Sequence, residues 1–223
     1  NSYLAIDELL GLQRPLSEGP EHDEMLFIII HQTYELWFKQ LIHEFTAAQQ
    51  SLEDGDTHRS LAILGRIRTI LKVCVTQIDI LETMTPLQFN AFRGYLASSS
   101  GFQSVQFRKV EAILGRRDNK MAGHLPPDIQ SEIAEITSGN SIWDSALVYL
   151  NNAGHTMPAA VMGRDKSEQK EKTSLFNVTG RIRQRRRAKQ AFIKICAVGG
   201  NVLRVIAFSY NNTAFNGNSG EVF

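Results

Sequence analysis

Only two cysteines, Cys74 and Cys196, occur in this chain, and they stand far apart. That argues against a disulfide framework and fits a reducing compartment, so a cytoplasmic protein is expected. An excess of charge of either sign is also missing: 24 Lys and Arg oppose 23 Asp and Glu, leaving +1. Bulk electrostatics therefore predict neither nucleic acid nor an acidic partner. No apolar run reaches membrane-span length; Met25 to Ile30 is far too short. Asn-x-Thr sequons at Asn177 and Asn211 mean little without a secretory signal. Nowhere does β-branched alternation meet hairpin turns, so sheet content is expected near zero. What remains is 223 residues, 43% hydrophobic, enough for a sizeable core. The expectation is one all-α domain over 1–223, a helical bundle built on two long antiparallel helices. The chain starts at Asn1 and not Met and stops after Phe223, so trimming at the start and further residues at the end are expected.

The longest helix is predicted from about Asp23 to Leu52, its acidic start suited to the helix dipole. Tyr34, Trp37, Phe38, Leu41, Ile42 and Phe45 mark its core-facing stripe. Asp54-Gly55-Asp56 reads as a turn, with Thr57 as the N-cap of a second helix running from about His58 to Glu82. Leu61, Leu64, Ile67, Leu71, Ile78 and Leu81 should face inward there, and so short a turn makes the pair antiparallel. Thr85-Pro86 starts a third helix to about Leu96. A small-residue loop at 97–101 leads to a helix at about Ser104–Leu114. Shorter helices follow at Pro127–Thr137 and Ile142–Asn152. Residues 163–190 change character, ending in a cationic run from Arg181 to Lys189 that reads as a solvated face. Ala191–Phe208 is apolar and helix-compatible despite Gly199-Gly200, and Ser209–Gly220 reads as a loop.

Three groups have chemical potential. Phe27 and His31, four residues apart, share a helix face and pair an aromatic ring with a group that exchanges protons near neutrality. The simplest reading of His31 alone is a buried imidazole satisfied by a backbone carbonyl. Phe89, Phe92 and Arg93 come next, just before the Ser98–Gly101 loop; a guanidinium there suits a carboxylate, while the plainer reading is a helix C-terminal cation. The Asn211–Gly220 loop, with Thr213, is the third. Taken together the groups describe an apolar slot with a partner for a ring N–H and an arginine for a carboxylate, which an aromatic amino acid fits.

The stretches Tyr3–Leu10, His22–Lys39, Leu81–Pro86, Phe92–Arg108 and Gly154–Pro158 resemble the tryptophan 2,3-dioxygenase family. The motifs His-Asp-Glu-Met-Leu-Phe-Ile and Ser-Ser-Gly-Phe-Gln-Ser are highly specific to it. The resemblance is dense over 1–115, thin to about 162 and patchy beyond. It implies haem-dependent oxidative opening of the indole ring of L-tryptophan to N-formylkynurenine, with haem b as cofactor, molecular oxygen as co-substrate and a homotetramer. It implies that Phe27 and His31 line the distal side of the haem, with His31 facing the indole nitrogen and serving as the catalytic residue, and that Phe27, Ile28, Ile29, Ile30, His31 and Phe89 contact the substrate. Arg93 would bind the substrate carboxylate, Ser100 would lie near the indole, and Thr213 matches a threonine touching the substrate ammonium and carboxylate. Tyr3 and Leu4, within the N-terminal segment 1–20, would reach a neighbouring subunit's pocket. Phe89 stands where the family commonly has tyrosine. The resemblance departs on the iron side: the best register sets Val198 where the family has its proximal histidine, and no histidine follows His155. Valine cannot ligate iron, and Cys196, two residues away, points to another helix face. The competing expectations are a member that binds an indole or aromatic amino acid with impaired or different chemistry, and an interaction protein using the Arg181–Lys189 cluster.

Overall fold

A computed structural model describes residues 3–19, 21–96, 104–117, 122, 123, 125–163 and 165. Its helices are α1 (Ile6–Leu10), α2 (His22–Glu53), α3 (Thr57–Leu81), α4 (Pro86–Arg93), α5 (Val105–Ile113), α6 (Pro127–Ser138), α7 (Ile142–Asn152) and α8 (Ala159–Met162). Among the described residues there is no strand, so the fold is all-α. The expected 97–101 loop, the Arg181–Lys189 cluster, the Ala191–Phe208 helix and the Ser209–Gly220 loop lie outside the described residues.

The core follows from the periodicity of α2. Ile30, Tyr34, Phe38, Leu41, Phe45, Ala48 and Leu52 recur at steps of three and four residues, and each is at most 4% exposed. Full burial of each large apolar side chain contributes about 1.5–3 kcal/mol. Trp37 and Ile42 flank this stripe half-buried. On α3 the buried partners are Ile63, Leu64, Ile67, Ile70, Leu71, Cys74 and Ile78; Leu61 and Leu81 are half-buried. The connecting turn uses Gly55 at φ 77, in the left-handed region that costs a glycine least. Tyr34 Oη donates to the Cys74 carbonyl at 2.7 Å, and Arg66 Nη1 lies 2.9 Å from Glu44. Progress along α2 is thus retreat along α3: the pair is antiparallel, as so short a turn requires.

Two helix ends differ from the sequence expectation. The N-cap of α3 is Asp56, whose side chain accepts from Arg59 N–H at 3.0 Å, and not Thr57. The hydroxyl of Thr57 is engaged instead with Tyr149 Oη at 2.8 Å. Helix α4 stops at Arg93 and not near Leu96, because the chain tightens: Tyr95 N–H reaches Phe92 O and Leu96 N–H reaches Arg93 O, both three residues back.

The other helices brace α2 along its length. Helix α4 covers its N-terminal half through Phe92 against Phe27, with ring centroids 5.6 Å apart. Helix α5 packs mid-way, where Phe107 meets Phe38 at 5.2 Å. Helix α7 and the residue pair before it hold the far end: Gln49 donates to the carbonyl of Asn140, just ahead of α7, and Ser145 Oγ to Glu53, at 2.6 and 2.7 Å. Helix α6 packs on α5, where Lys109 meets Glu132 at 2.6 Å. Helix α8 and Met157 close over Leu147 and Leu150.

The N-terminal segment buries little but is tied down by polar contacts. Glu24, in the first turn of α2, accepts from Leu16 N–H at 2.7 Å, Ser17 N–H at 3.2 Å and the Ser17 hydroxyl. Burial alone pushes the Glu24 pKa up; these hydrogen bonds outweigh it and hold the carboxyl below its usual value. Gln13 and Gln32 form a second tie at 2.6 Å. Among the described helices none is long and apolar enough to cross a membrane.

Candidate active site

The N-terminal half of α2 presents Phe27 and His31 on one face. Their rings stack at 4.0 Å with a 38° tilt. The His31 Nδ1 lies 2.7 Å from the Phe27 carbonyl. A carbonyl only accepts, so the ring proton sits on Nδ1 and Nε2 is the acceptor atom of the neutral ring. Burial pulls the His31 pKa below the usual histidine value, against smaller opposing effects of the Phe27 carbonyl and the nearby Glu35 charge. At neutral pH the imidazole is therefore uncharged, an acceptor set among aromatic rings.

Helix α4 brings the second group. Thr85 and Gln88 form a reciprocal capping box and Pro86 occupies the first turn, which fixes where this short helix begins. Phe89, Phe92 and Arg93 then fall at its end. Phe92 is fully buried and lies under both neighbours: its centroid is 5.6 Å from Phe27 and 5.5 Å from Phe89, edge-on to the latter at 86°. Phe27 and Phe89 lie 5.7 Å apart. The Arg93 guanidinium carbon sits 5.9 Å above the Phe89 ring, a cation–π placement that steadies an otherwise exposed side chain. Three aromatic rings thus join an imidazole acceptor to a guanidinium. The first suits a ring N–H, the rings suit an aromatic body, and the last suits a carboxylate.

Phe27, His31, Phe89 and Arg93 come together as the sequence predicts. Ile28 is half-buried beside them in sequence, Ile30 belongs to the main core, and Ile29 is 45% exposed. Two residues along a helix is about 200° of rotation, so Ile29 and His31 look in nearly opposite directions. Tyr3 and Leu4 are 91% and 54% exposed on the N-terminal segment. Ser100, Thr213, Val198 and Cys196 lie outside the described residues. Phe92, grouped with Phe89 and Arg93 from the sequence, is the floor of the group because it is fully buried. Glu35, whose charge acts on His31, was signalled only by its place four residues further on.

The sequence profile of the tryptophan 2,3-dioxygenase family matches residues 1–124. The chain belongs to this family. It is 51% identical over 168 residues to a tryptophan 2,3-dioxygenase of Herpetosiphon aurantiacus, covering 75% of this chain and 65% of that protein. Against one of Anaeromyxobacter dehalogenans the identity is 54% over 159 residues, 70% of this chain and 59% of the relative. Against one of Bordetella parapertussis it is 44% over 168 residues, with 73% and 57% covered. The chain therefore spans about three-fifths of the length of the curated relatives it matches.

Family membership implies haem, whose iron takes an axial His, Cys thiolate, Met or Tyr. Cys74 is buried, and burial pushes its thiol up to about 12, so it stays protonated and is no thiolate ligand. Of the described histidines, His31 joins the aromatic group, His22, His43 and His58 are exposed, and His155 is half-buried. Beyond residue 165 the sequence has neither histidine nor methionine, and offers Cys196 and Tyr210 as its side chains of the iron-binding type. Within the described aromatic group His31 is the side chain of the iron-binding type, and its Nδ1 is held by the Phe27 carbonyl, which fits the substrate side of such a site.

Proposed function

We propose that this protein acts in the haem-dependent oxidative opening of the indole ring of L-tryptophan to N-formylkynurenine, the first step of tryptophan catabolism by the kynurenine pathway. The observation that carries this reading is the convergence of His31, the three phenylalanines and Arg93 within the part of the chain that matches the family. The haem, when bound, would supply the oxygen chemistry; the described residues supply binding, orientation and an apolar environment. Arg93 takes the substrate carboxylate with two parallel hydrogen bonds. Phe27, Phe89 and Phe92 form the wall against the indole. His31 Nε2 accepts the indole N–H, which holds the ring in one orientation.

Further contacts belong to the same proposal. Ile28 continues the wall beside Phe27, Ile29 faces away from it on the opposite side of α2, and Ile30 anchors that turn of α2 in the core. Ser100 approaches the indole and Thr213 the ammonium and carboxylate. Tyr3 and Leu4 of one subunit complete the site of the next in a homotetramer; their exposure in the single chain supports this. A cytoplasmic location is supported by the unpaired, buried Cys74.

The test is an absorption spectrum of the purified full chain supplied with haem, read with L-tryptophan turnover. The expected result is a Soret band that shifts with carbon monoxide and product that depends on L-tryptophan. A colourless protein that binds L-tryptophan without forming product would overturn the catalytic part and favour the binding-only alternative.

A further inference from the structure

We propose that Glu35 and Gln106 form a positioning pair for the His31 site, holding the entry to α5 at the level of the imidazole and setting a fixed negative charge one helical turn from it. Two observations carry this. Gln106 Nε2 donates to both the backbone carbonyl and the carboxylate Oε2 of Glu35, each at 2.9 Å. One amide held by two oxygens of the same residue cannot shift without losing both bonds. Its neighbour Phe107 is locked too, buried at 2% exposure and 5.2 Å from Phe38. The first turn of α5, capped by the Ser104 side chain, is thus pinned to α2 by a polar and an apolar contact side by side.

The second observation is electrostatic placement. Glu35 follows His31 by four residues, on the same side of α2, and its charge favours the imidazolium against burial. Lys39, one turn beyond Glu35 on α2, and Lys72 and Asp79 on α3 are exposed to solvent. Other charges on the packed elements have partners of their own. On α4, Arg93 sits over Phe89. On α5, Arg108 pairs with Glu111 and Lys109 with Glu132. The buried positions of α3 level with Tyr34, Cys74 and Ile78, are uncharged. Helix α7 engages the opposite end of α2, and Glu24 is bound to the 16–17 turn. Glu35 is the carboxylate whose charge acts on His31, one helical turn away.

The inference rests on the functional reading only in assigning His31 to the substrate. Its test is an imidazole NMR titration of the full chain as wild type, Glu35→Gln and Gln106→Leu, with L-tryptophan binding measured by calorimetry on each. Glu35→Gln keeps an acceptor for Gln106, so folding is retained, but removes the charge. The expected result is a lower His31 titration midpoint at an unchanged melting temperature. Gln106→Leu removes both bonds to Glu35 and is expected to weaken L-tryptophan binding about threefold or more. An unmoved His31 midpoint in Glu35→Gln, or unchanged tryptophan affinity in Gln106→Leu, overturns the positioning pair. A wild type that binds no L-tryptophan while the His31 midpoint still moves overturns the functional reading and leaves the charge coupling standing.

Discussion

The two halves of α2 are built from the same helical repeat and put it to different uses. Its C-terminal half sends Leu41, Phe45, Ala48 and Leu52 into the core, each at most 1% exposed, and is fastened on two sides by Glu44 to Arg66 and by Gln49 and Glu53 to Asn140 and α7. Its N-terminal half buries Ile30 and Tyr34 but leaves Met25 and Ile29 in solvent and turns Phe27 and His31 to the aromatic group on α4. The stable half anchors the helix; the other half can then carry an imidazole whose burial disfavours its charge. Function and stability are separable along one element, and mutations in the two halves should show it.

The largest effect should come from Phe45→Ala. Removing a fully buried ring from the clamped half is expected to cost about 3–5 kcal/mol, read by denaturant unfolding, with tryptophan affinity unchanged in the molecules that remain folded. Arg93→Ala should do the reverse. It is expected to leave the unfolding midpoint in place and weaken L-tryptophan binding by about 1.5–3 kcal/mol, roughly ten- to a hundredfold, the value of hydrogen bonds to a charged group. If Arg93→Ala unfolds the protein, the two halves are not separable as described.

A pH effect follows from His31. Burial holds its folded pKa below the unfolded value, so the unfolded chain binds the proton more readily. Stability is therefore lost as pH falls from the usual histidine range, about 6.5, toward the folded pKa. His31→Gln should flatten that part of the stability-versus-pH curve; an unchanged slope would contradict a neutral, buried His31. The same variant should retain some turnover, because orientation by Arg93 and the rings survives. The smallest effect is expected at the turn joining α2 to α3: Asp56→Ala should cost about 1 kcal/mol through the lost cap to Arg59 N–H, with no change in binding.

Much of the bundle was legible because its periodic segments are long. The limits of α2, α3 and α7 fall within a residue or so of where apolar spacing and turn residues put them. The cap of α3 was misplaced by one position because Asp56 and Thr57 are both good caps, and only the contact with Tyr149, 92 positions away, shows where Thr57 goes. The site was legible in its parts and less so in its assembly. Phe27 and His31 meet by helix geometry, whereas Phe92 becomes the floor of the group only once α4 is laid on α2. The Glu35–Gln106 contact spans 71 positions, and no local pattern announces it. His31 Nδ1 is committed to the Phe27 carbonyl, as expected of a structural histidine, and that commitment makes Nε2 the acceptor atom that the proposed function would use.

The central claim is that His31 and Arg93 read opposite ends of one aromatic amino acid. Calorimetric titration of the full chain with L-tryptophan, tryptamine and 1-methyl-L-tryptophan tests it directly. Tryptamine lacks the carboxylate that Arg93 would hold, and the methylated analogue lacks the N–H that His31 would accept. The account predicts the tightest binding for L-tryptophan, with both analogues at least about tenfold weaker, as loss of a paired buried group implies. Equal affinity for all three would contradict it.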